Sequence, residues 1–135
     1  MTSPQHADSQ KQMMLRWFEE VWNQGKRETI DELLGADFVI HDGGSALRGP
    51  AEFKIFHDEL RRSFSNFHVT PEHSITEGDC TLLRWRTSMT HIESGKPIEV
   101  TGMSCIRFRD GKFAEAWQNW DQHGLNAQVM AAAGK

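Results

Sequence analysis

The chain has no tyrosine, so no phenolic O–H is available as a donor at any site. It has only two cysteines, Cys80 and Cys105, with no Cys-x-x-Cys and no Cys/His metal spacing. That argues against a disulfide framework and a zinc site. Both cysteines fall in apolar, strand-like runs and are expected as buried free thiols. No window approaches the ~18 apolar residues of a membrane helix. The first ten residues are polar and lack the apolar core of a signal peptide, so a cytoplasmic location is the default expectation. Positive charge is not in excess either. A net charge of -4 favours solubility and leaves no electrostatic footprint for nucleic acid.

At 135 residues the chain is long enough to bury a core without staples. Residues 1–8 read as a flexible start, and residues 9–135 as one domain. Asp8 or Ser9 is placed to cap a first helix, in which Met14, Trp17, Phe18 and Val21 recur at helical spacing until Gly25. A short helix over residues 28–34 buries Ile30, Leu33 and Leu34. Residues 37–42 read as a strand, and the Gly-rich stretch 43–50 as a loop. A third helix starts near Pro50 with Phe53, Phe56, Leu60 and Phe64 on one face. Strands follow over residues 68–77 (an edge, given Pro71), 80–91, 98–109 and 112–121, the last two joined by the hairpin dipeptide Asp110-Gly111. A short helix over 124–133 ends the chain. Helices first and long strands after predict an α+β fold, a cone-shaped roll in which three N-terminal helices pack on a curved antiparallel sheet around a pocket.

Strand periodicity predicts which side chains face that pocket. Arg84 and Arg86 belong outside, which turns Trp85, Met89 and His91 inward. Arg107 and Arg109 outside turn Ser104 and Phe108 inward. On the last strand, Phe113 and Trp117 as large apolar groups set the inward face, which carries Glu115, Asn119 and Asp121 with them. Trp120 then lands outside and needs cover, which a homodimer contact through the outer sheet face would supply. The expected pocket is walled by Trp17, Phe18, Phe53, Phe56, Trp85, Met89, Phe108 and Trp117. His57, His91, Ser104, Asn119 and Asp121 punctuate it, with His57 on a helix flank and partly exposed. Such a cavity suits an apolar or aromatic small molecule. Asp121 is the sharpest signal: an inward carboxylate needs a partner or a raised pKa, and a raised pKa suits acid/base work near neutrality. His41 and Asp42 are adjacent on a strand, so only one of them faces the pocket.

Four segments carry a resemblance: "WNQGKRETIDELLGADFVIHD", "GPAEFKIFHDELRRSFSNFHV", "LLRWRTSMTHIESGKPIEVTGMSCIRFRDGKFAEAW" and "WDQHGL". From about Leu15 to Val129 the chain resembles the SnoaL-like polyketide cyclases of the nuclear transport factor 2-like superfamily. The resemblance implies a homodimer without cofactor or metal. It also implies ring closure by intramolecular aldol condensation, with the aspartate ending the last strand, here Asp121, as acid/base. The family's cyclases place a histidine on the neighbouring strand, where this chain has Ser104 and Arg107.

Three functions follow as expectations. In the first, Asp121 moves a proton beside a carbonyl while His91 or Asn119 holds the carbonyl oxygen. The second is a steroid-isomerase-like reaction with Asp42 as base; its relatives use a tyrosine donor, which this chain lacks. The third is a non-catalytic module that binds a small ligand or assembles with a partner.

Overall fold

The apolar period at the start of the chain builds one continuous rod. In the computed structural model, which describes residues 4–133, α1 (Pro4–Arg16) runs on into a π-helical turn (Trp17–Asn23). Met14, Trp17, Phe18 and Val21 form its buried face, as expected. The helix begins at Pro4, ahead of the expected start at Asp8 or Ser9. Residues 1–3 of the expected flexible start lie outside the described residues. Helices α2 (Glu28–Leu33), α3 (Gly49–Ser63) and α4 (Gln122–Ala133) complete the helical set.

Six strands form one sheet: β1 (Leu34–Asp42), β2 (Ser45–Arg48), β3 (Phe64–Glu77), β4 (Cys80–His91), β5 (Pro97–Arg109) and β6 (Lys112–Trp120). Their order is β2-β1-β6-β5-β4-β3. The expected α+β class holds, but the sheet is mixed rather than antiparallel throughout, because β1 pairs with β6 in parallel. The expected loop over residues 43–50 contains β2, which folds back on β1 through Gly43 and Gly44 at φ of 54° and 90°. Two successive residues at positive φ make a tight hairpin turn that glycine adopts without strain. β3 is an edge strand that tolerates Pro71 at a register shift.

The end of the rod is stitched to α3. Helix ends leave carbonyls without intrahelical donors. Here the Val21 carbonyl accepts the His57 Nε2–H at 2.7 Å, and the Trp22 carbonyl accepts Arg61 Nη1 at 2.7 Å. Asn23 Oδ1 accepts the Val69 backbone N–H at 2.7 Å, tying the same turn to β3. Pro50 sits in the first turn of α3, and the Glu52 carboxylate accepts the Arg48 N–H at 2.9 Å, closing the helix start. These bonds fix the rod and α3 over the concave face of the sheet, and the core between the layers includes Phe38, Phe113, Met14 and Leu83. No helix among the described residues is long and apolar enough to cross a membrane.

Candidate functional site

The helices do not fill the concave face. A cavity of about 80 Å³ remains, with Phe18 and Trp22 of the rod and Phe56 of α3 on one side. Trp85 and Met89 of β4, Gln118 and Trp120 of β6, and Leu125 of α4 form the facing wall. A recess of about 20 Å³ continues toward Trp17, Phe53 and Ser104 and shares Phe18, Trp22, Phe56 and Gln118 with the cavity. The walls are aromatic and aliphatic; the polar side chains among them are Thr87, Ser104 and Gln118.

Strand register places a polar row across this floor. Ser104 of β5 lies opposite Gln118 of β6, and Gln118 lies opposite Asp42 of β1. The next row is Trp85, Gly102 and Trp120. Each indole N–H reaches one end of the polar row. Trp85 Nε1 donates to Ser104 Oγ at 3.0 Å, and Trp120 Nε1 donates to both Asp42 oxygens at 3.2 and 3.1 Å. Gln122 Nε2 adds a 3.4 Å contact to Asp42. Gly102 makes room for both rings: a Cβ there would lie 2.5 Å from Trp85 Cζ2 and 2.8 Å from Trp120 Cβ. In the centre, Ser104 Oγ donates to Gln118 Oε1 over 3.4 Å, while Gln118 Nε2 finds no acceptor among the described residues.

Several expected site residues meet here. Trp17, Phe18, Phe53, Phe56, Trp85, Met89 and Ser104 all line the cavity or its recess. Others do not. β6 carries a β-bulge: Phe108 pairs with Phe113 but Arg107 with Glu115, so Ala114 is an extra residue. One extra residue reverses every later side chain. Trp117 and Asn119 therefore face outward, and Gln118 and Trp120 face in. Trp117 stacks on His41 with centroids 5.6 Å apart, and Asn119 is exposed opposite Met103. Phe108 is buried edge-on against Phe113, at 5.2 Å between centroids, away from the cavity.

The histidines also differ from expectation. His91 is buried at the end of β4, against Phe64 and within 2.8 Å of Ser94 Oγ, away from the cavity. His57 is fully buried, not partly exposed, because the rod's Val21 carbonyl holds it. Burial pushes its pKa below the usual histidine value. Its Nδ1 makes no hydrogen bond among the described residues and lies 3.9 Å from Asp58 Oδ1, consistent with a neutral ring that donates from Nε2. His41 lies on the outer face, where Nε2 meets Glu115 at 2.8 Å; Asp42 is the member of that pair on the cavity side.

Asp121 is exposed at the start of α4, and its Oδ1 accepts the Gly124 N–H at 2.8 Å, a helix N-cap. It follows Trp120 in the chain but does not line the cavity. Gln118 and Asp42 are the polar residues that strand parity alone did not bring to the site. One signal was available: Phe113 and Trp120 are seven residues apart, so both reach the core only through a bulge. Among the described residues no three His, Cys, Asp or Glu side chains are grouped to hold a metal ion.

A family model described as SnoaL-like polyketide cyclase matches residues 12–129. No curated protein matches the sequence significantly. Several solved structures share the fold. A candidate polyketide cyclase from Acidithiobacillus ferrooxidans superposes with a TM-score of 0.83 at 24% identity, over 92% of this chain and 96% of that one. IdmH, a candidate polyketide cyclase from Streptomyces antibioticus, gives 0.79 at 24% identity, over 89% and 97%. AclR, a candidate hydroxylase from Streptomyces galilaeus, gives 0.83 at 18% identity, over 93% and 98%.

Proposed function

Because the chain belongs to the SnoaL-like polyketide cyclase family, we propose that it is a cofactor-free acid/base enzyme acting on an apolar, carbonyl-containing small molecule. The reaction is an intramolecular aldol ring closure or a related isomerisation. The observation that supports this reading is the row Ser104–Gln118–Asp42 laid across an otherwise apolar floor, with a carboxylate at one end.

Asp42 is the better placed of the two carboxylates near Trp120. It is half-buried on the cavity side, where the Trp120 indole orients it. Asp121 is exposed and spends its carboxylate on the α4 cap. In this reading Asp42 removes a proton from the carbon next to a carbonyl. The carbon's electron pair moves toward the carbonyl oxygen as an enolate, then forms the new C–C bond at a second carbonyl of the same molecule. The resulting alkoxide takes up a proton, so atoms and charge balance with no added reagent.

Exchange of α-protons in D₂O isolates the first step. With 2-tetralone as an apolar ketone probe, the protein is expected to accelerate exchange followed by NMR. Asp42→Asn should cost roughly 10²–10⁴-fold of that acceleration. Asp121→Asn should keep the exchange and change the melting temperature little, because asparagine caps a helix about as well as aspartate. Loss of exchange in Asp121→Asn alone would return the role to Asp121.

A second reading, a non-catalytic binding module, is favoured by one observation: among the described residues no titratable side chain lines the cavity wall itself. An unaltered exchange rate with the parent protein, together with measurable probe binding, selects it.

We also propose a homodimer through the outer sheet face. Ile75, Leu82, Cys105, Trp117 and His41 lie opposite one another in register across five strands. Ile75 is 69% exposed and Leu82 36%. The flanking row on one side holds Arg107 and Glu115, and on the other Arg84, Met103 and Asn119. An apolar stripe with a mostly polar rim suits a self-complementary contact. Trp117, rather than Trp120, is the tryptophan that this contact covers.

A further inference from the structure

We propose that Gln118 is the specificity-determining residue of the cavity, and that it selects ligands bearing a neutral acceptor oxygen, a ketone or ester carbonyl, on an apolar frame. This deepens the preceding reading and rests on the cavity being the ligand site.

The argument runs through donors and acceptors. An indole N–H only donates, so Ser104 Oγ accepts from Trp85 and keeps its own proton for another partner. That proton goes to Gln118 Oε1. The amide is thereby oriented with its oxygen toward Ser104 and its nitrogen free. Gln118 lines both the cavity and the recess, so its amide is within reach of a ligand in either. Once a ligand covers that amide, a donor left unpaired is costly, so a ligand that offers an acceptor there is favoured over one that does not. The adjacent position in the row is Asp42, a carboxylate. An anionic ligand oxygen would meet its like charge, whereas a neutral carbonyl would not.

The test uses three probes with one ring system: 2-acetylnaphthalene, 2-ethylnaphthalene and 2-naphthoate. Binding is read from the fluorescence of Trp22, Trp85 and Trp120, which line the cavity, and checked by calorimetry. The parent protein is expected to bind the ketone about tenfold tighter than the hydrocarbon, in line with one well-placed hydrogen bond in a dry site, and to bind the carboxylate most weakly. Gln118→Leu should bind ketone and hydrocarbon alike while keeping its hydrocarbon affinity, which also shows that the cavity is intact. Ser104→Ala leaves the amide in place but frees it to turn, and should shrink the ketone preference without abolishing it. Equal affinity for ketone and hydrocarbon in the parent, or a ketone preference that survives Gln118→Leu, overturns the role of Gln118 alone. Failure of the parent to bind any of the probes overturns the cavity as ligand site, and this inference with it.

Discussion

The two faces of the sheet are built from alternate residues of the same strands, yet they solve opposite problems. On the concave face, polar groups are few and arranged in a line: Trp85 to Ser104, Ser104 to Gln118, Trp120 to Asp42. Apart from Thr87 the cavity wall around them is apolar, so each unmet donor or acceptor matters. On the convex face, charges are many and satisfy one another. Arg107 Nη1 meets Glu115 at 2.9 Å, Glu115 meets His41 at 2.8 Å, and Arg84 meets Glu72 at 3.4 Å. There it is the apolar stripe that lacks cover. The concave face leaves a polar group to be answered and the convex face leaves apolar area to be answered. In the proposed reading a small molecule answers the first and a second copy of the chain answers the second.

Breaking the convex side should give the larger effect. Trp117→Glu puts a charge at the centre of the stripe, and central aromatic anchors of interfaces are worth about 2 kcal/mol or more. Light scattering should show a dimer for the parent at micromolar concentration and a monomer for the variant, with probe binding in the cavity retained. A monomeric parent would remove the dimer from the account and leave the cavity untouched.

Breaking the concave side is a matter of one methyl group. In Gly102→Ala the new Cβ overlaps both Trp85 and Trp120. Overpacking of this kind costs about 1–3 kcal/mol, measurable by urea unfolding. The larger consequence is for binding, because neither indole can keep its place over the polar row. Association should be unchanged.

How far the sequence disclosed these two faces depends on where strand alternation stays regular. β4 and the inner positions of β5 keep strict alternation, so charged and apolar residues alone turn Trp85, Met89 and Ser104 to the face on which the structure has them. The rod was equally legible, since Met14, Trp17, Phe18 and Val21 follow one helical face. β6 was not, because alternation carries no mark of an inserted residue, and the bulge at Ala114 exchanged Trp117 for Trp120. The discomfort of an uncovered Trp120 was the trace of that bulge. Asp42 and His41 were inseparable until β1 found its parallel partner, a pairing between segments far apart in the chain. His57 was hidden for a related reason: its acceptor is a carbonyl at the end of a helix thirty-six residues earlier, brought to it by packing. Asp121 drew attention as a carboxylate beside an aromatic strand, and the cap it forms depends on where α4 begins.

The most direct test reads both faces at once. The chain has five tryptophans, and each gives one indole N–H signal in a ¹H–¹⁵N spectrum. Titration with 2-acetylnaphthalene should shift the signals of Trp22, Trp85 and Trp120 and leave Trp117 in place. Dilution without ligand should do the reverse, moving Trp117 alone as the dimer dissociates. Ligand that shifts Trp117 while Trp85 and Trp120 stay still would contradict the division of labour between the two faces.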